Sequence, residues 1–368
     1  MLIRILSEVK DNRRKQGRRY ELVPVIFSAI AAVLSGADSY RKTHSFIKNH
    51  YELLNVHFSL NWKNTPSYTT VRNIIKNIPD DSLESVFRKY SLWLIEQTGN
   101  TLFIAFDGKV MCGSFDHLNA VKAVQSLSAF MTGSRIIMGH MEIESKTNEI
   151  PAAQELIMTS GFKDMIFTFD AMHCQEKTLE VVKETVNDAI VQVKKNQKQL
   201  FSDCIRTSES LESSDSYAEP AEKIRNRIES RKVEVYEDML ITDTCKWKNI
   251  KDIVKIERQR EVFDTKKKQW EITDETSYYV SSKVLSAEDF CKGIRGHWQI
   301  ENSNHHVRDV SMNEDRSRIR KNPHIFSKIR SFALNIMRAD KVQNIAQELY
   351  RNCMNITNIF NYQGIMEN

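Results

Sequence analysis

Two short runs in this chain, TLFIAFDG (101–108) and MIFTFDA (165–171), share one plan. An apolar, aromatic-rich stretch leads directly into an aspartate, Asp107 or Asp170, and a small residue follows, Gly108 or Ala171. Runs this short and this uniformly apolar are expected as strands buried on both faces. Two of them predict neighbouring strands whose carboxylates emerge at the same sheet edge, where α/β proteins place their sites. Each aspartate could equally cap the turn behind it. Their matched setting favours a shared chemical role.

The segments around them extend the pattern. AVQSLSAF and RIIMGHMEIE alternate in hydropathy and flank Met-Thr-Gly-Ser, a hairpin signal. EIPAAQELIMTSG reads as a helix closing on Gly161, QEKTLEVVKETVN as an amphipathic helix and DAIVQVKKNQ as a third strand. Residues 101–200 therefore predict strand, hairpin, helix, strand, helix, strand: a mixed sheet with helices against it. Residues 1–100 read as helical. In VPVIFSAIAAVLSGA, Pro24 stands near a helix start and Gly36 near its end. Val71, Ile74, Ile75 and Ile78 recur at helical spacing, and Pro79-Asp80-Asp81-Ser82 starts another helix. These short helices suit either a DNA-reading helix-turn-helix or a plain bundle. In 201–282, RTSESLESSDSYAEPAEK is expected as a solvated loop. RKVEVYEDML, DIVKIERQREVF and SYYVSSK are expected as strands of a β-rich insertion. Residues 283–345 return to helix, and 346–368 read as a weakly specified helical tail.

Composition narrows the class. The 368 residues are 41% hydrophobic and 27% charged, a globular profile. A net charge of only +5 excludes binding to a polyanion by bulk charge. The position of the charge matters more. KIRNRIESRK (223–232) has five basic residues in ten, Arg308 to Arg330 has seven, and the first 19 residues have seven. Runs of this kind make phosphate contacts that position nucleic acid without reading its sequence. The six cysteines include no close pair, which argues against a zinc site or a disulfide framework. The N-terminal stretch lacks a signal-type apolar region, and the most apolar run, Val23 to Ala37, is too short to cross a bilayer. A cytoplasmic protein with no membrane partner is expected.

A third acid lies in GIRGHWQIENSNHHVRDV. On a continuous α-helix, His297, Glu301, His305 and Arg308 would share a face. Trp298 is expected as a core anchor. Three acids brought together repel one another unless cations complete the site. Oxygen donors suit Mg²⁺ or Mn²⁺, and two such ions can clamp a phosphodiester.

The blocks AFDGKVMCGS, ESKTNEIPAAQEL, TFDAMHCQ, VKKNQ, NRIESR, GHWQIEN and SMNEDRSRIRKN, in this order, resemble the ISAs1-type insertion-sequence transposases. These are DDE enzymes related to the IS4 group and include the H-repeat-associated proteins. SAIAAVLSGADSYRKTHSFIKNH and PSYTTVRNII resemble the N-terminal region associated with them, so the likeness spans roughly residues 20–340. It implies an α+β or α/β chain: an RNase H-like core, with a mixed five-stranded sheet and flanking helices, carrying a β-rich insertion and preceded by a helical, DNA-binding N-terminal domain. The implied domain bounds are 1–100, 101–200, 201–282, 283–345 and a tail at 346–368. The implied catalytic and metal-binding triad is Asp107, Asp170 and Glu301, with Mg²⁺ or Mn²⁺, two ions, as cofactor. Ile294 and His297 stand where the broader group has Tyr and Arg, and Arg308 lies near its Lys. Cys112 replaces an Arg of the family's first block. His306 replaces a Trp near the Glu, and Arg308 an apolar residue.

The implied activity is metal-dependent cleavage and strand transfer at insertion-sequence ends. The alternatives are an RNase H-like nuclease without strand transfer, or an inactive DNA-binding derivative. Expected partners are double-stranded DNA (terminal inverted repeats and target) and a second copy in a homodimer on DNA, with nucleoid association when bound and no small-molecule substrate. Lys109, Asn196, Gln197, Arg227, Arg231, His297, Arg308, Arg318 and Arg320 are the expected supporting or DNA-contacting residues.

Overall fold

Buried helices come first in the chain, then a sheet whose strands are interleaved with helices, then helices again. The computed structural model describes residues 1–60, 62–98, 102–115, 123–143, 149–224, 226–237 and 239–365. Residues 144–148, which open the ESKTNEIPAAQEL block, and Arg225 of the central basic run lie outside the described residues. In order, the elements are α1 (Leu2–Leu6), α2 (Leu22–Leu34), α3 (Tyr40–Asn49), α4 (Tyr51–Phe58), α5 (Tyr68–Lys76), α6 (Asp80–Thr98), β1 (Phe103–Val110), β2 (Gln125–Met131), β3 (Ile136–Ile143), α7 (Glu149–Ser160), β4 (Ile166–Phe169), α8 (Glu176–Glu184), β5 (Asp188–Val193) and α9 (Lys198–Ser210). They continue with β6 (Asp215–Ile224), β7 (Arg227–Tyr236), β8 (Asp252–Asp264), β9 (Gln269–Ser281), α10 (Ala287–His297), α11 (His306–Val310), α12 (Pro323–Ala339) and α13 (Ile345–Met354).

The strands follow the order β3-β2-β1-β4-β5-β9-β8-β7-β6. β2 and β3 form the predicted antiparallel hairpin, and β1, β4 and β5 run parallel. The five strands β3-β2-β1-β4-β5 are the mixed sheet of an RNase H-like core. The insertion adds β6 to β9 as an antiparallel extension alongside β5. The chain divides into two units. One holds Met1–Thr101, Gly108–Ala152 and Ile300–Asn368; the other holds Leu102–Asp107 and Ala153–Gln299.

In the first unit, α2 is buried almost all round, as its apolar sequence requires, and α12 is buried together with polar residues such as Lys328, Arg330 and Asn335. Phe27, Phe87, Tyr90, Phe326 and Phe332 are among its fully buried side chains. A polar web runs through this core. Glu84 accepts hydrogen bonds from Arg88 (2.9 Å) and the His140 backbone N–H (2.7 Å), and His140 Nε2 shares one with Ser331 (2.9 Å). Burial alone would raise the Glu84 carboxyl, but His140, Lys328 and Arg88 hold it far below the usual carboxylate range. Asn335 accepts from Ile137 N (2.9 Å) and donates to Ile137 O (2.8 Å), pinning β3 to α12. The C-terminal segment is packed and not the weakly specified tail expected. Leu349, Ile359 and Ile365 are buried, Asn352 donates to Leu34 O (3.0 Å), and Gly364 O accepts from Leu2 N (2.7 Å).

In the second unit, α10 lies on the sheet. Ser286 caps it, accepting from Asp289 N at 3.1 Å. Phe290, Cys291 and Ile294 of this helix pack with Ile166, Ile190, Val233, Val254 and Ile256. The solvated loop expected at 206–223 is instead the end of α9 and the strand β6. β6 is an edge strand, largely exposed, so few apolar residues mark it. Pro220 is tolerated because the β6–β7 register shifts between Glu219 and Glu222. Gly293 of α10 lies against β1: a Cβ there would stand 2.6 Å from the Phe103 ring. Alanine normally gains about 1 kcal/mol over glycine within a helix. Here the clash, of about 1–3 kcal/mol, outweighs it. Gly293→Ala should therefore lower the melting temperature; an unchanged or raised value would place α10 away from β1.

Candidate active site

Phe103, Ile104 and Ala105 of β1 are opposite Ile166, Phe167 and Thr168 of β4. Carrying this register two residues further sets Asp107 opposite Asp170. Parallel neighbours in register lie about 4.8 Å apart and point to the same face, so both carboxylates leave one edge together. Ile104, Ala105, Phe106 and Ile166 to Phe169 are buried, and the rings of Phe106 and Phe169 stand 5.0 Å apart beneath the pair. Asp170 also caps the turn behind it: Oδ1 accepts from Met172 N at 3.1 Å. The capping and site readings thus coexist.

His297 ends α10, and its Nδ1 shares a 3.0 Å hydrogen bond with the Thr168 hydroxyl, two residues before Asp170. Burial pushes the imidazole below its ordinary value, against the pull of Asp107 and Asp170, which both favour its charged form. The two acids and the histidine are therefore close enough to act on one another. Asn196 donates to Ala171 O (2.6 Å) and Gln197 to Cys174 O (2.8 Å). Expected to reach DNA, these amides instead brace the loop that follows Asp170. Trp298, expected in the core, is 53% exposed; the chain turns there, at the end of α10.

Glu301 lies in the first unit, exposed, on a π-helical turn over Ile300–His305. That turn interrupts the α-helical spacing assumed for 297–308. His305 and Arg308 are buried where Glu301 is exposed, so a common face does not form. Arg308 donates to Glu314 Oε1 (2.7 Å) and to the Ser327 hydroxyl. Lys109 pairs with Asp309 and with Glu314 (2.9 Å), and Arg330 stands 3.6 Å from Glu314. Burial would raise the Glu314 carboxyl, but Arg308, Lys109 and Arg330 more than offset it and hold it far below the usual range. Lys109 and Arg308 are therefore internal cations and are not presented to DNA. The sequence reading passed over their partner. Its one signal was the acidic pair within SMNEDRSRIR. It also passed over Glu149, whose carboxylate lies against Gly108; a Cβ there would meet Oε2 at 2.7 Å.

Arg227 and Arg231 are ion-paired within their own strand, and Arg231 also with the adjacent one. Arg227 lies 3.1 Å from Glu229, and Arg231 pairs with Glu229 and with Glu219 (2.8 Å). Arg318 and Arg320 are exposed, Arg320 donating to Phe115 O at 3.2 Å. Among the described residues no group of three or more His, Cys, Asp or Glu comes together to hold a metal ion. The in-register pair Asp107 and Asp170 offers carboxylate oxygens, a donor set that suits a hard divalent cation. No described helix is long and apolar enough to cross a membrane.

His297 gives a test of this geometry. By proton NMR its imidazole should titrate below 6.5, its ordinary value. Asp107→Asn and Asp170→Asn should each lower it further, because each removes a charge that favours the imidazolium. The folded state binds fewer protons here than the unfolded chain, so this histidine's contribution to stability falls as pH drops through about 6.5. A His297 titration unmoved by either substitution would contradict the arrangement.

Known proteins resemble the chain along most of its length. Residues 121–337 match the model of the transposase DDE domain, a span that includes Asp170 and Glu301 and begins after Asp107. Residues 3–91 match the DDE_Tnp_1-associated model. "Putative protein YbfL" of Escherichia coli K12 is 32% identical, over 93% of this chain and 91% of its own length. "H repeat-associated putative transposase YhhI" of the same strain is 31% identical over the same shares. "Putative transposase YncI" of Escherichia coli O157:H7 is 30% identical over 92% of this chain and 87% of its own. A core of five mixed strands, a family match over more than half the chain, and full-length relatives lead to one assignment: the chain belongs to the DDE transposase family.

Proposed function

We propose that this protein cuts DNA at the ends of an insertion sequence and joins them to target DNA. The observation that supports the reading is the β1–β4 register, which, carried two residues past Ala105 and Thr168, sets Asp107 opposite Asp170. Glu301 is assigned as the third acid on its motif, GHWQIEN. Asp107, Asp170 and Glu301 would hold Mg²⁺ or Mn²⁺, two ions, which when bound offset charge on a phosphodiester and help ionise its attacker.

In the first step a water oxygen attacks phosphorus at the element end and a 3′-hydroxyl leaves. In the second, that 3′-hydroxyl attacks a target phosphodiester and releases a target 3′-oxygen. The protein's part is positioning and charge placement. The turn after Asp170, braced by Asn196 and Gln197, fixes the direction of that carboxylate. His297, held to Thr168 and shifted towards its neutral form, packs beside the acids without adding a permanent cation. Two copies would pair two element ends as a homodimer on DNA, which places the protein at the nucleoid when bound.

The test uses duplexes carrying the terminal repeats that flank the gene, with Mg²⁺ or Mn²⁺. Wild type should yield nicked ends and strand-transfer products. Asp107→Asn, Asp170→Asn and Glu301→Gln should each lower cleavage by roughly 100-fold or more. Cleavage that survives all three substitutions overturns the triad. Cut ends without joined products would indicate a nuclease, and binding without cutting a DNA-binding derivative of a transposase.

A further inference from the structure

The first unit contains a cleft of about 750 Å³ between the starts of α3 and α5 and the loop at 313–321. Seven basic side chains line it: Arg41, Arg72, Lys76, Arg316, Arg318, Arg320 and Lys321. None of the seven makes an ion pair with a described residue. This sets the cleft apart from the other basic clusters. Arg231, Arg258 and Arg295 of the insertion are paired with Glu219, Glu222 or Glu229, and Lys109, Arg308 and Arg330 converge on Glu314. Other unpaired basic residues are spread over the surface; here several converge on one cleft.

Two further features suit an anionic occupant. The acid in the wall, Asp38, already binds Lys42 at 2.7 Å and accepts from Asn313 at 3.3 Å, so it cancels little of the cleft's charge. Tyr40 also lines the cleft. It is 7% exposed, and its buried hydroxyl has no hydrogen-bond partner among the described residues. Such a group is costly to bury unless something supplies the missing bond. The starts of α3 and α5 add two partial positive charges.

We infer that this cleft binds the phosphate backbone of duplex DNA, apart from Asp107 and Asp170. The choice of DNA rests on the function proposed above. The array of seven separate cations fits a polymer with one charge per roughly 1.7 Å of axis. The loop is held in place by the chain: Gly113 lies so close to the backbones of Asp315 and Ser317 that any Cβ would clash. The arginines therefore project from a braced segment.

The test measures binding to terminal-repeat duplex in EDTA, across a salt series, with cleavage in Mg²⁺ read separately. Arg41, Arg316 and Arg318 are exposed, so the triple alanine variant should melt as wild type does. It should bind on the order of 100-fold more weakly, with the salt dependence of log affinity reduced by about 3. A control removing three other exposed charges of the same unit, Lys10, Lys48 and Lys63, should keep wild-type affinity. Wild-type affinity in the triple variant, or equal loss in the control, would overturn the cleft while leaving cleavage by wild type as support for the transposase. Normal cleft dependence with no cleavage by wild type would sink the enzymatic reading and leave the cleft.

Discussion

β1 and β4 are short, apolar on both faces and paired in parallel, and the geometry of the site depends on that pairing. Buried strands have little freedom of register. A slip of one residue would turn every side chain to the opposite face and place Phe106 or Phe169 where the carboxylates now stand. The aromatic contacts among Phe106, Phe167 and Phe169 hold the register from within the layer. The acids are thus positioned by the hydrophobic core beneath them. Asp170 gains a further restraint from its cap on Met172, and His297 reaches Thr168 from the last turn of α10.

Charge is handled by the same economy in the rest of the chain. Two acids meet most of the buried basic side chains: Glu84 takes Arg88 and Lys328, and Glu314 takes Lys109, Arg308 and Arg330, while Arg338 donates to Arg135 O and lies over the Phe130 ring. An unpaired ion in those positions would be costly to keep, which is why removing one member of such a set typically costs about 3–5 kcal/mol. The net charge of +5 gives no hint of this division between internal and presented cations. It becomes visible only when each arginine and lysine is placed, and one group of those without ion pairs lines a single cleft.

The strand–hairpin–helix–strand–helix–strand order was legible in the sequence because burial on a sheet leaves a strong apolar signature. So was the shared plan of Asp107 and Asp170. The less legible parts have particular causes. β6 is polar because it is an edge strand, so composition made it look like a loop. The π turn at Ile300–His305 has no distinctive residue pattern, so the spacing from His297 to Arg308 was read as plain α-helix. Asn196, Gln197, Lys109 and Arg308 carry groups that bind DNA as readily as protein. Only their partners, Ala171, Cys174 and Glu314, decide which they do here.

The central proposal is that Asp107 and Asp170 ligate divalent cations, with Glu301 assigned as the third acid by its motif. Fe²⁺ bound in place of Mg²⁺ offers a direct reading, since ascorbate and peroxide then cut the backbone next to the ion. The account predicts cuts near residues 107, 170 and 301, suppressed by excess Mg²⁺ and lost in Asp107→Asn. Cuts absent from 107 and 170, or unchanged by that substitution, would contradict it.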